Sequence, residues 1–241
     1  MKIKFDEKSH TYTHKDTNEK FISVTTLLGK YKQPFDREGH SKRVADREGV
    51  TQEMVLEMWE QEKNRACKRG TDIHKLLEDY INFGDVEDNY GWLCKSYDKA
   101  VERSIDSFKN VISENLLYDE EFKVAGTADL IYEHKNEFTI GDFKTNKKFR
   151  FSSPFCERLK DPVSHLHNCE FNLYGLQLSM YAYLYERMTS KRCRKCVIFY
   201  LKDERFLAYH VNYMKAEVEA ILASMKKSRA EVPINNIEKL A

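Results

Sequence analysis

Asp129, Asp142 and Lys144 are the residues whose types and spacing are most suited to chemistry. They lie within Gly126–Thr145, which reads GTADLIYEHKNEFTIGDFKT. Two carboxylates supply hard oxygen donors of the kind Mg²⁺ or Mn²⁺ takes. A lysine beside such an ion can orient or deprotonate a water for hydrolysis. Two runs rich in β-branched and aromatic residues flank the polar turn His134-Lys135-Asn136-Glu137, which is the pattern of a β-hairpin. Asp129 falls in the first strand, Asp142 and Lys144 in the second. Alternation puts Asp142 and Lys144 on one face, continuing from Phe138 and Ile140. That face should be buried, where an acid and a lysine are costly unless paired or bound to a cation.

Other elements must bring further groups to this hairpin. A strand at 113–119, turning around Glu120–Phe122, should pair antiparallel with the Gly126 strand. That places Glu114 opposite Thr127–Asp129 as a third carboxylate. Residues 36–82 read as helix, with a break near Gly49. His74 and Glu78 stand i,i+4 on one of its faces, while Ile73, Leu76, Leu77 and Tyr80 supply the buried side. Residues 172–188 form a second strong helix in which Gln177 and Tyr181 are also i,i+4. Short strands are expected at 2–6, 10–14 and 20–23. A helix from Ser23 to about Tyr31 follows, in which Ser23 acts as a plain N-cap or as part of a phosphate-binding helix start.

The ordered set resembles the PD-(D/E)XK nuclease superfamily, and its RecB-type exonuclease branch in particular. The residues that carry the likeness are the G-x-x-x-H of Gly70 and His74, GTAD ending at Asp129, Asp142-Phe143-Lys144-Thr145, and the Q-x-x-x-Y of Gln177 and Tyr181. The likeness spans roughly residues 20–211. It implies a restriction-endonuclease-like α/β core: a small mixed sheet flanked by helices, with residues 1–50 as an N-terminal elaboration of one domain. It implies a metal-dependent deoxyribonuclease, most consistent with an exonuclease of phage DNA processing or recombination. The alternatives are a structure-specific or transposon-type endonuclease and a catalytically silent nucleic-acid-binding module.

Carried onto this chain, the resemblance makes Asp129, Asp142, Lys144, Gln177 and Tyr181 the catalytic set. His74, Glu114, Asp129, Asp142 and the Phe143 carbonyl become the ligands of one or two Mg²⁺ or Mn²⁺ ions. It also implies nucleic-acid contacts at Ser23, Thr25, Arg69 and Thr145. Lys147, Lys148 and Arg150 open the irregular segment 146–171, where they alternate with Phe149, Phe151 and Phe155. Basic residues among aromatics suit a strand-binding groove, or else a solvated loop with its rings packed beneath it.

Composition sets the limits. The chain has 241 residues, is 41% hydrophobic and 33% charged, and carries a net charge of +1. No global field draws it to a polyanion, so DNA would have to be met by a local groove. No apolar run is long enough to cross a membrane, and the polar N-terminus is no signal peptide. The six cysteines form no compact disulfide framework, which points to a reduced, cytoplasmic setting, the host cytoplasm for a phage protein. Cys193 and Cys196 form a C-x-x-C, but the chain does not complete the four ligands of an iron–sulfur cluster or a structural zinc. A helix is expected at 92–111, with Leu93, Tyr97, Val101, Ile105 and Phe108 as its apolar stripe. Strands follow at 196–201 and 206–211, then a helix at 213–229 and a disordered tail over 232–241.

Overall fold

The computed structural model describes residues 2–6, 9 and 11–230; the tail expected at 232–241 lies outside them. The order is β1 (Ile3–Asp6), β2 (Thr11–His14), β3 (Lys20–Ser23), α1 (Val24–Gly29), α2 (Arg37–Glu48), α3 (Gln52–Phe83), α4 (Leu93–Ser104), β4 (Asn110–Asp119), β5 (Val124–Glu133), β6 (Glu137–Lys144), α5 (Glu170–Thr189), β7 (Arg192–Lys202), β8 (Arg205–Val211) and α6 (Lys215–Ala230). This is a mixed α/β architecture with helices on both sides of an open mixed sheet, the restriction-endonuclease-like arrangement expected from the sequence. No helix among the described residues is long and apolar enough to cross a membrane.

The sheet runs β1-β2-β3-β5-β6-β7-β8, with β4 pairing β5. β3 with β5 and β6 with β7 are parallel; the other pairs are antiparallel. One side is covered by α1, α5 and α6: Leu27, Leu176, Leu184 and Ile221 pack there on Phe138, Ile140 and Ile198. On the other side, Ile73 and Leu77 of α3 and Leu93, Tyr97 and Ala100 of α4 pack on Leu130, Tyr132, Phe143 and Phe199. β6 and the later part of β7 are buried on both faces, which is why β7 reads as a continuous apolar run from Cys196 to Leu201.

The helical break near Gly49 is real: Gly49 caps α2 at φ +67° and Thr51 caps α3 through the Met54 amide. The helix expected at 92–111 ends at Ser104, because residues 110–119 form β4 and pair β5 along its whole length, from Asn110↔Glu133 to Asp119↔Val124. Phe108, read as part of the helical stripe, is correspondingly exposed.

The feature that makes the site is a fork. β4 occupies one edge of β5 throughout. On the other edge, β3 pairs only Val124 and Ala125, whereas β6 pairs only Leu130 to Glu133. Between them, Gly126 to Asp129 face a gap. Beyond Gly141, β6 leaves β5 and stays with β7 through Lys144↔Tyr200. Side-chain alternation in β5 slips one step here. Gly126 and Ala128 face α5, while Leu130 and Tyr132 face α3 and α4. Across the ladder, Glu114 takes φ +46°, between Ser113↔Leu130 and Asn115↔Ala128. Asp129 and Glu114 therefore sit opposite each other where both strands change face.

Candidate metal and hydrolytic site

Asp129 is held by the fork itself. Its Oδ2 accepts the Phe143 amide N–H at 2.7 Å, replacing the strand partner that β6 lost on leaving β5. The same oxygen lies 3.5 Å from His74 Nδ1 of α3. His74 is fixed from below by an edge contact with the buried Phe143 ring, their centroids 5.6 Å apart. One donor atom from each of His74, Glu114 and Asp129 lies within 4.8 Å of the others. This imidazole and these two carboxylates could hold a divalent metal ion.

Glu114 is exposed by surface area yet lines a concave wall with other acids. Loss of hydration, then the charge of Asp129 and of Glu78, pushes its carboxyl up to about 8. Asp142 is buried. Burial raises it to about 6, with Lys144 opposing and Asp129 adding to the rise. Its Oδ2 lies 2.5 Å from Lys144 Nζ but accepts no well-angled hydrogen bond. Acids held above their ordinary range, and a buried oxygen not fully satisfied, are what a carboxylate cluster shows when a cation would complete it.

A second chain of contacts runs from Asp142 to α5. Lys144 Nζ donates to Gln177 Oε1 at 3.3 Å, and Gln177 Nε2 donates to Asp142 Oδ1 at 3.4 Å and to Tyr181 Oη at 3.1 Å. Burial pulls the Lys144 ammonium down, but Asp142 and Asp129 together more than reverse this, so Lys144 stays protonated. It also lies 4.6 Å over the Tyr174 ring. Burial, then Asp142, pushes the Tyr181 phenol well above its usual value, so it too remains protonated.

His74, Glu78, Glu114, Asp129 and Tyr181 line one cavity of about 420 Å³, together with Ser23 and Thr25. Asp142, Lys144 and Gln177 adjoin it through Tyr181 and Asp129. Asp142 is not among the three grouped donors, and Phe143 reaches the group through its N–H and ring. Ser23 acts as an N-cap, its hydroxyl accepting the Thr26 amide. Thr145 comes close to α3 at Gly70, where a Cβ would stand 3.2 Å from its Oγ1; Arg69 is exposed beside it.

The basic segment is less free than its sequence suggests. Lys147 pairs with Glu62 of α3, and Arg150 holds Glu170 through two bonds of 2.9 and 2.7 Å. Lys148 is exposed and enters no ion pair among the described residues. Phe149 is stacked on Tyr200 and Tyr209 at 4.6 and 5.1 Å, so it anchors the segment; Phe155 is exposed.

Two contributors are not apparent from the sequence. Tyr12 and Phe5, stacked at 4.6 Å, form a wall of the cavity, and Tyr12 Oη meets Thr127 Oγ1 at 3.2 Å. Tyr174 of α5 faces Lys144. The pairing of β3 with β5 that brings the N-terminal hairpin here has no local signature. The i−3 spacing of Tyr174 from Gln177 was the available signal for the second.

No known family profile matches the chain, and no curated protein does. Among solved structures, SSO0001 is similar over 88% of this chain and 77% of its own, with 15% identity and a TM-score of 0.39. A "putative exonuclease" from Eubacterium rectale is similar over 85% and 72%, with 12% identity and a TM-score of 0.35. At this distance neither likeness decides what this chain does.

Proposed function

We propose that this protein is a metal-dependent deoxyribonuclease of the PD-(D/E)XK superfamily, RecB-type branch, that hydrolyses DNA phosphodiester bonds as an exonuclease. The observation that carries the reading is the meeting of two groups at one fork: the His74–Glu114–Asp129 donors and the Asp142–Lys144–Gln177–Tyr181 chain. Mg²⁺ or Mn²⁺ would be held by His74, Glu114 and Asp129, with Asp142 close by. When bound, it supplies Lewis-acid polarisation of the phosphate and a lowered pKa for a coordinated water.

The protein's own groups do the rest. His74 and the Phe143 amide hold Asp129 in one orientation. Gln177 fixes both Asp142 and Lys144, so the ammonium cannot swing away. Held in this way, the Lys144 ammonium donates a hydrogen bond to the attacking water or a phosphate oxygen. The water oxygen bonds to phosphorus and gives its proton up to solvent, the phosphorus–ester bond breaks, and the leaving oxygen takes a proton back from solvent, so that one water is added across the bond. Ser23 and Thr25, which line the cavity, would meet a neighbouring phosphate. A role in phage DNA processing follows from the same resemblance.

The test uses linear and circular DNA with Mn²⁺ or with EDTA. End-labelled linear DNA should shorten from its ends only in Mn²⁺, with circles intact. Cutting of circles would favour an endonuclease, and undiminished cutting in EDTA would remove the metal mechanism.

A further inference from the structure

On the α3/α4 side of the sheet, a second cavity of about 410 Å³ lies between α4 and the β7–β8 turn. It is lined by Lys95, Lys99, Arg103 and Arg205, with Glu204 as its carboxylate. In a chain of net charge +1, most clustered cations would be expected to face acids, as Lys147, Arg150, Arg187 and Lys195 do. None of these four forms an ion pair or side-chain hydrogen bond among the described residues.

Their spacing is regular. Lys95, Lys99 and Arg103 stand at i, i+4 and i+8 on one face of α4, rising about 6 Å per step. Arg205 joins them because the Phe206 amide donates to Ser96 Oγ at 2.8 Å and ties the turn to the helix. The opposite face of α4 is fixed to the site: the Tyr97 ring lies 5.8 Å from that of Phe143.

The topology gives the path. β7 runs parallel to β6 with Tyr200 beside Lys144, and Lys202 pairs Arg205 across the turn. The β7–β8 turn therefore leaves the sheet at the end where β6 presents Asp142 and Lys144, two strand spacings or about 10 Å to the side. An unneutralised row of cations whose Ser96 end is tied to that turn suits the sugar–phosphate backbone of a polynucleotide better than a single small anion.

We propose that this face of α4 and the β7–β8 turn form a second backbone-binding surface, which holds the nucleic acid on the side of the sheet away from the 146–169 segment. The proposal rests on the nucleic-acid reading above. It does not depend on the site being hydrolytically active.

The test compares wild type with a Lys95→Ala, Lys99→Ala, Arg103→Ala variant. All three side chains are exposed and alanine favours the helix. Binding of labelled single-stranded and duplex DNA is followed by anisotropy in EDTA across a salt series. The slope of log affinity against log salt should fall by about two on single strands and nearly three on duplex. Hydrolysis of a small chromogenic phosphodiester in Mn²⁺ should be unchanged. If wild type binds DNA but cuts nothing, and the variant loses slope, the hydrolytic reading fails and this surface stands. If the variant keeps the wild-type slope while cutting persists, the surface is wrong and the hydrolytic reading stands. A wild type that binds neither form of DNA would overturn both.

Discussion

Gly126 lets Tyr181 lie directly against the strand that carries Asp129. A Cβ at residue 126 would stand 2.5 Å from Tyr181 Cε1 and 3.2 Å from Val24 Cγ2. Tyr181 is buried, and Gln177 donates to its hydroxyl, so its ring has little room to withdraw. The first residue of the GTAD motif is thus a packing requirement of the fork.

Gly126→Ala should therefore displace Tyr181 and, through Gln177, loosen Lys144. Overpacking of this kind costs about 1–3 kcal/mol. A urea melt should show that loss, with a larger proportional loss of turnover than of DNA affinity. Wild-type turnover in a destabilised variant would separate Tyr181 packing from the chemistry.

The acids give a pH dependence of definite sign. Glu114 is raised to about 8 by loss of hydration and the charges of Asp129 and Glu78, and Asp142 to about 6 by burial first. A raised carboxyl favours folding at low pH and loses that contribution as pH climbs from the unfolded value, about 4, to the folded one. In metal-free protein these two groups thus erode stability from about pH 4 to about pH 8. Metal requires the ionised forms, so the rise in melting temperature on adding Mn²⁺ should be larger at about pH 8.5 than at about pH 6. Glu114→Gln should reduce both the erosion and the Mn²⁺ effect. An equal Mn²⁺ shift at both pH values would contradict the carboxylate assignment.

The segment after β6 should divide in its behaviour. Arg150→Ala removes a two-pronged clamp on Glu170 that joins this segment to α5. It should cost up to about 1 kcal/mol, as partly exposed pairs do, and should speed limited proteolysis within 146–169. Lys148→Ala should leave stability unchanged and lower the salt slope of DNA binding by roughly 0.7–0.9. The opposite pattern would exchange the roles of the two residues.

Much of this site was legible because its parts are local. The hairpin about His134–Glu137, the shared face of Asp142 and Lys144, and the facing of the i,i+4 pairs on α3 and α5 follow from strand and helix periods; that His74, Gln177 and Tyr181 belong to the site came from the resemblance. The position of Glu114 opposite Asp129 followed from counting back from a tight turn. The fork was not legible, because the partial pairings of β3 and β6 with β5 join residues far apart in sequence. The left-handed φ of Glu114 has no signal in a non-glycine residue. Ile105 and Phe108 continue a helical stripe, and only the full-length pairing of β4 shows why the helix stops before them. Read as a surface pair, Lys144 and Asp142 would have been worth little. They are instead 15% and 3% exposed, and that burial is what restrains the ammonium.

The central claim is that this restrained ammonium serves the hydrolysis. Lys144→Ala should lower single-turnover cleavage of labelled DNA about 100-fold or more, which is at least ~2.7 kcal/mol of barrier. DNA affinity should change little, because the contact matters in the transition state. Breaking a buried pair also threatens the fold, so the variant is melted in Mn²⁺ to establish that it is folded at the assay temperature. Excess Mn²⁺ should not restore its activity, whereas it should partly restore Asp142→Asn. A folded Lys144→Ala protein that cleaves DNA at close to the wild-type rate would contradict the account.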